Sequence, residues 1–307
     1  MQLERSEMKE NLSKKLIRIS AIQMKMAKDP EKNLSNSLRL IKKAAQEEKA
    51  DLICLPELFS LQYFCQTEEP ENFSMSEPVP GPTTHALELL AEELNITLVA
   101  SIFERRTQGV YHNTAVVIDG KYGYLGKYRK MHIPDEPGYQ EKFYFTPGDL
   151  GFKSFKTSVG NCGVMVCWDQ WYPEAARLTA LNGAQILIYP TAIGWHPEEK
   201  NILGQTQHEA WELVQRSHAI TNGCFVIAVN RVGFEKHPRK QSGIEFWGQS
   251  FVAAPDGRVL ARASSADTNI LTVDLDMAEI EKIRLSWPFL RDRRIDAYED
   301  LTKRLID

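Results

Sequence analysis

The chain has 307 residues, of which 43% are hydrophobic, 25% charged and 9% aromatic, a globular composition that excludes a fibrous or disordered protein. Its formal net charge of -4 offers no bulk attraction to a polyanion, so nucleic acid is not an expected partner. No apolar run approaches the length needed to span a bilayer, and no membrane partner is expected either.

The amino terminus, MQLERSEMKENLSKK, is charged and has no apolar signal-peptide core. Residues 1–15 therefore predict an extension, followed by one domain over 16–307, because no linker-like stretch divides the rest. IRISAIQM alternates apolar and polar residues and predicts a strand, after which Leu34, Leu38, Ile41 and Ala45 recur at helical spacing. DLICLPE is almost wholly apolar and predicts a buried strand over its length. Leu87, Leu90, Ala91 and Leu94 mark a second helix ending near Asn95, followed by the strand ITLVASIF and a hairpin turning at Asp119-Gly120.

The second half repeats this alternation: strand GVMVCW, helix PEAARLTALNGA, strand QILIYP, helix EAWELVQRSHAI and strand CFVIAV, with a late hairpin at Asp256-Gly257. Buried strands alternating with amphipathic helices, joined by some hairpins, predict an α/β or layered α+β fold with mixed sheets.

The cysteines, Cys54, Cys65, Cys162, Cys167 and Cys224, are odd in number and lack paired Cys-x-x-Cys spacing, so they read as reduced thiols in the cytoplasm. Cys167 alone sits at a strand-turn-helix corner, between GVMVC and a helix that starts near Pro173. Backbone N–H groups at such a corner can stabilise a thiolate or a developing oxyanion, whereas Cys54, Cys162 and Cys224 lie within or beside apolar strands as small hydrophobes. Glu57 follows a buried strand and is held by Pro56, a setting suited to proton transfer, although a helix-starting glutamate has the same local pattern. Lys130 lies within GYLGKYRKMHIP, and nothing local separates it from the basic neighbours Lys127 and Arg129. The histidines show no ligand pairing, so neither a metal nor another cofactor is expected.

Taken together and in order, LPELF around Glu57, YRKMHIP around Lys130 and CWDQWYPE around Cys167 resemble the three motifs of the nitrilase superfamily of carbon-nitrogen hydrolases. The resemblance implies a four-layer α-β-β-α sandwich. It also implies Cys167 as nucleophile, Glu57 as general base, Lys130 as stabiliser of the tetrahedral intermediate and the Trp168 backbone N–H as part of the oxyanion hole. A further glutamate of the family matches Glu141, which would orient substrate and lysine.

Within the superfamily, IPDEPGYQEKFYFTPGD, CWDQWYPEAAR and YPTAIG are similar to the branch that hydrolyses N-carbamoylputrescine. Enzymes acting on N-carbamoyl-D-amino acids resemble this chain but carry two arginines soon after the cysteine, where Gln170 and Trp171 stand here. An N-carbamoyl amine is thus the expected substrate, and Asp135, with Glu136 as competitor, is the expected partner of its distal ammonium. The same catalytic set would serve a β-ureidopropionase or ω-amidase, and an inactive nitrilase-like interaction module could retain the fold. Family similarity implies a homo-oligomer, with the aromatic-basic tail from Trp287 to Tyr298 as a contact segment.

Overall fold

The computed structural model describes residues 16–306, so the expected extension over 1–15 lies outside the described residues. Strands β1 (Leu16–Gln23), β2 (Leu52–Cys54), β3 (Thr97–Thr107), β4 (Val110–Asp119) and β5 (Gly123–Arg129) occupy the first half of the chain. A short hairpin of β6 (Asp135–Glu136) and β7 (Tyr139–Gln140) follows. The second half carries β8 (Ser154–Thr157), β9 (Gly160–Val164), β10 (Ile186–Thr191), β11 (Gly194–Trp195), β12 (Phe225–Asn230) and β13 (Val232–Lys236). It ends in β14 (Gly243–Trp247), β15 (Phe251–Ala253), β16 (Val259–Arg262) and β17 (Asn269–Asp276).

Two six-stranded sheets result, ordered β17-β1-β2-β3-β4-β5 and β16-β15-β12-β10-β9-β8, with β11-β14-β13 as a smaller third sheet. Both large sheets are mixed: β1 pairs parallel with β2 and antiparallel with β17, while β12 pairs parallel with β10 and antiparallel with β15. The main helices are α1 (Pro30–Gln46), α2 (Pro82–Leu94), α3 (Pro173–Leu181) and α4 (Pro197–Asn222), and α5 (Ala278–Ser286) closes the series.

Strand periodicity sorts the side chains into layers. Ile19, Ala21, Leu52, Cys54, Val99, Ala115 and Val117 point from the first sheet into a core shared with Val164, Ile186, Ile188 and Val226 of the second. Their alternates Ile22, Ile53, Leu98, Val116 and Ile118 pack outward against Leu40, Ile41 and Ala44 of α1 and Leu87, Leu90 and Ala91 of α2. On the far side Ala175 and Ala176 of α3 and Trp211 and Ala219 of α4 cover the second sheet. The order of layers is α-β-β-α, as the motifs implied.

Local chemistry sets several helix ends. Asp29 caps α1 by accepting from the Glu31 N–H, Asn95 stops α2 in the left-handed region, and Gly223 does the same for α4. The β4–β5 hairpin turns through Gly120–Tyr122, one residue beyond the expected Asp119-Gly120, because buried Asp119 still pairs with Gly123 and accepts from Thr97 and Ser158. Two expected strands are shorter than their apolar runs. β2 stops at Cys54 and β9 at Val164, and in both cases the chain leaves its sheet before the functional residue. Among the described residues, no helix is long and apolar enough to cross a membrane.

One ionic clamp fixes the end of β5. Buried Glu104 on β3 accepts from Lys127 Nζ at 2.6 Å, Arg129 Nη2 at 2.7 Å, Arg129 Nε at 2.9 Å and Thr114 Oγ1 at 2.6 Å. Burial alone would raise its pKa, yet the bonds from Arg129, Lys127 and Thr114 outweigh burial and hold the carboxyl at about 2. Because the folded pKa lies below the ordinary 4.5, the clamp contributes fully above pH 4.5 and is lost as pH falls towards 2. Glu104→Gln is expected to flatten that part of the stability profile in denaturant titrations at pH 5, 4 and 3, and parallel profiles would contradict it.

Candidate active site

The site lies where strand ends of the two large sheets meet. Beyond Cys54, Leu55 still donates to Val99 of its own sheet, but Pro56 has no N–H and the Glu57 N–H reaches Thr191 of β10 at 3.4 Å. Glu57 thus stands on a segment crossing from one sheet to the other, fully buried. Leu58, next in line, is held at φ +47° while its N–H donates to Ser101 Oγ.

Lys130 follows β5 directly. Its backbone N–H donates to Asn113 O, and its carbonyl accepts from Gly148, where a Cβ would lie 2.0 Å from Arg129 O and only glycine fits. Buried without exposure, Lys130 Nζ donates to Glu57 Oε1 at 2.8 Å and to Glu141 Oε2 at 2.6 Å. Asn113 Nδ2 donates to the same Glu57 oxygen at 2.6 Å, and Tyr63 OH donates to Glu141 Oε1 at 2.6 Å. Among the described residues, Glu57 Oε2 has no hydrogen-bond partner.

Cys167 opens a short 3-10 turn, Cys167–Trp171, at φ +44°, a conformation that side-chain-bearing residues adopt at a cost. Asp169, fully buried within that turn, accepts from the Val166 N–H at 2.9 Å, Tyr128 OH at 2.8 Å and the His132 N–H at 3.0 Å. The cysteine turn is thereby tied to the segment that carries Lys130.

Charge and burial act together here. Burial pushes the Cys167 thiol well above its ordinary pKa, the Glu57 charge pushes further in the same direction, and Lys130 opposes both. Burial and the Glu57 charge both favour the protonated thiol at rest, in keeping with a base that removes its proton during attack. Burial would lower the Lys130 pKa, but Glu141 and Glu57 more than offset it and keep the ammonium protonated. Glu141 itself is raised to about 7, first by burial and then by Glu57, against the pull of Lys130.

A cavity of about 450 Å³ opens above the thiol. Glu141, Cys167, Trp168 and Trp171 line it on one side; Leu203, Thr206, Gln207 and Ala210 of α4 line the other. Glu136 and Glu199 stand in its wall, and no lysine or arginine does among the described residues.

The structure therefore brings together Glu57, Lys130, Glu141 and Cys167, with Trp168 at the cavity. Asp135 is the exception. In the two-residue strand β6, alternation turns successive side chains to opposite faces, and Glu136 lines the cavity where Asp135 does not. Gln170 is a packing residue, buried and accepting from Trp211 Nε1, while its neighbour Trp171 faces the cavity.

The carbon-nitrogen hydrolase family model matches residues 18–285. This chain belongs to that family. Among known relatives, this carbon-nitrogen hydrolase is 41% identical to the N-carbamoylputrescine amidase of Solanum lycopersicum, over 94% of this chain and 95% of the relative. It is 37% identical to the citrullinase of Francisella tularensis, over 94% and 99% of the two chains. A crystal structure of a carbon-nitrogen hydrolase from Helicobacter pylori superposes with a TM-score of 0.92 at 48% identity, covering 95% of this chain and all of the other. Saccharomyces cerevisiae Nit3, a nitrilase-superfamily member, superposes with a TM-score of 0.74 at 25% identity, over 91% and 97%.

Asn113, Tyr63, Arg231 and the α4 wall were not legible as site residues. Only α4 carried a usable signal: Leu203, Thr206, Gln207 and Ala210 follow the i, i+3, i+4, i+7 spacing of one helix face. Removing the central charge tests the cluster. Lys130→Met in this hydrolase leaves two buried carboxylates without their cation and is expected to cost about 3–5 kcal/mol of stability in urea titrations. Adding Glu141→Gln should recover part of that loss, and an unchanged Lys130→Met midpoint would contradict the cluster's charge state.

Proposed function

We propose that this hydrolase cleaves the carbamoyl C–N bond of N-carbamoylputrescine, releasing putrescine, ammonia and carbon dioxide. The carrying observation is the cavity itself, which places two acids, Glu136 and Glu199, in the wall above the thiol and, among the described residues, no lysine or arginine. A substrate ending in an ammonium finds partners there; one ending in a carboxylate finds repulsion. The N-carbamoylputrescine amidases at 41% identity support the same substrate.

In this reading the unpartnered Glu57 Oε2 takes the Cys167 proton as sulfur attacks the carbamoyl carbon. Lys130 and the Trp168 N–H, early in the 3-10 turn where intraturn acceptors are missing, stabilise the oxyanion. Glu57 then donates its proton to departing ammonia. Water, deprotonated by Glu57, splits the S-carbamoyl intermediate, restoring the thiol and releasing a carbamate that loses carbon dioxide. Glu141 orients Lys130 throughout.

We also infer a homo-oligomer in the cytoplasm. Leu178 and Leu181 of α3, with Trp287, Phe289 and Tyr298 of the tail, expose apolar surface on one subunit, and all five cysteines are free and buried, as in a reducing compartment. Sedimentation equilibrium reads the subunit number directly, and a monomer at micromolar concentration would refute it.

Cys167→Ala is expected to abolish ammonia release while the fold persists, and near-normal turnover would remove the mechanism. Ammonia release from N-carbamoylputrescine should exceed that from N-carbamoyl-β-alanine, N-carbamoyl-D-amino acids and citrulline. Glu136→Gln with Glu199→Gln should lower kcat/KM for the cationic substrate by about 1 kcal/mol, since both acids are exposed, and leave a neutral N-carbamoyl alkylamine unaffected. Asp135→Asn should leave both unchanged. A wild-type preference for N-carbamoyl acids would overturn the substrate assignment.

A further inference from the structure

Behind the reacting groups lies a fully buried arginine that no step of the mechanism uses. Arg231 Nη2 donates to the backbone carbonyls of Glu57 at 2.6 Å and Leu58 at 3.2 Å, and Nη1 donates to Leu61 O at 3.2 Å and Glu235 Oε1 at 2.8 Å. Glu235 Oε2 accepts from the Tyr63 N–H at 2.6 Å. Tyr63 OH then donates to Glu141 Oε1, Glu141 accepts from Lys130, and Lys130 returns to the Glu57 carboxylate. The contacts close a ring that enters Glu57 through its carbonyl and leaves through its side chain.

We propose that Arg231 and Tyr63 are positioning residues for the reaction, Arg231 fixing the backbone of Glu57 and Tyr63 fixing the carboxylate of Glu141. This rests on the assignment of Glu57, Lys130 and Cys167 as the reacting groups.

The grip on Glu57 has a mechanical reason. Its segment has left β2, so no sheet ladder holds it, and the next residue, Leu58, sits at φ +47°. A guanidinium accepts no hydrogen bonds and presents a planar fork of donors, so one side chain can satisfy three carbonyls that have left their sheet. Glu235 balances its charge, which would otherwise be costly to bury.

Tyr63 serves Glu141 in another way. The groups facing Glu141 are Lys130, Glu57 and Tyr63, with Cys65, Tyr139 and Cys167 also within electrostatic reach. Of these, only Lys130 and Tyr63 donate hydrogen bonds to its carboxylate among the described residues. Burial and then the Glu141 charge keep Tyr63 protonated far above its ordinary range, so its hydroxyl remains a donor at every working pH. A donor to the carboxylate favours the ionised form that holds Lys130. Tyr63 does not line the substrate cavity, which separates positioning from binding.

Alkylation of Cys167 by iodoacetamide, followed by peptide mass, tests this without any N-carbamoyl substrate. Loss of the substrate assignment would therefore leave the readout intact. Wild-type labelling should show an inflection near pH 7 from Glu141, absent in Glu141→Gln. Tyr63→Phe keeps the ring packing on Phe246 and Tyr139 but removes the donor, and should move that inflection upward by about one pH unit. With a turned-over substrate, the same variant should lower kcat and leave KM near the wild-type value. Arg231→Lys keeps a charge opposite Glu235 yet cannot bridge the carbonyls, and should slow labelling at fixed pH by about tenfold. Should Arg231→Lys fail to fold, Glu235→Gln, which loosens the same guanidinium, is read in its place with the same two outcomes. An inflection that stays in place in Tyr63→Phe or survives in Glu141→Gln, or labelling of the arginine-site variant at the wild-type rate, overturns the proposal.

Discussion

The rest of the site depends on one buried ammonium. Lys130 Nζ lies within 2.8 Å of Glu57 and 2.6 Å of Glu141, with no exposure to solvent. Two carboxylates that close, in a medium where charge is poorly screened, would otherwise drive one another to protonate. The lysine lets both be held near the thiol, and they in turn keep the lysine charged against its own burial. Such a cluster is poor at stabilising a fold, because desolvation consumes most of the Coulomb gain. The arrangement fits the proposed reaction, in which Glu57, with one oxygen unpartnered among the described residues, is the base for the Cys167 thiol.

Holding three charged side chains in one place requires backbone that regular strands do not provide. Each of Glu57, Lys130 and Cys167 lies just past the end of a strand, where the chain turns out of its sheet. Ligand sites outside the carboxyl ends of strands are common in open α/β sheets for the same reason. The freed backbone is secured by polar groups from elsewhere. Arg231 holds the Glu57 segment, Gly148 and Asn113 hold Lys130, and Asp169 ties the Cys167 turn to Tyr128 and His132. The aspartate within CWDQWYPE is therefore a joint between two motifs that are 37 residues apart in sequence, counted from His132.

How much of this was legible follows from whether the signal was local. The layers were, since strand and helix periodicities report which side chains share a face. Glu57, Lys130 and Cys167 were legible only as a conjunction of motifs; singly, each had an ordinary reading. The strand DLICLPE was overextended because apolarity continues through Leu55 and Pro56 while hydrogen bonding does not. Helix α4 starts at Pro197, well before the expected EAWELVQRSHAI, because its first turns are partly exposed and lack a regular apolar stripe. Tyr63, Asn113 and Arg231 were hidden for a different reason: their partners are 78, 56 and 174 residues away, and no local pattern encodes such pairing. Asp135 lies outside the cavity wall through the finest rule of all, the alternation of one strand residue with the next.

In the proposed mechanism, a thiol that is protonated until attack changes how selectivity arises. A pre-formed thiolate would react with any electrophile that entered, whereas a thiol beside Glu57 becomes nucleophilic only as the proton moves and sulfur attacks together. Attack then requires a carbonyl carbon near the sulfur, with its oxygen directed at Lys130 and the Trp168 N–H. In the proposed reaction the distal acids Glu136 and Glu199 act on the opposite end of the substrate, along a cavity whose near wall is Trp168 and Trp171. Their attraction for an ammonium favours poses that put the carbamoyl group at the thiol, so binding energy at the mouth contributes to orientation at the reacting carbon. The acids that read the substrate and the cluster that performs the chemistry thus share one requirement, a ligand long enough to reach both.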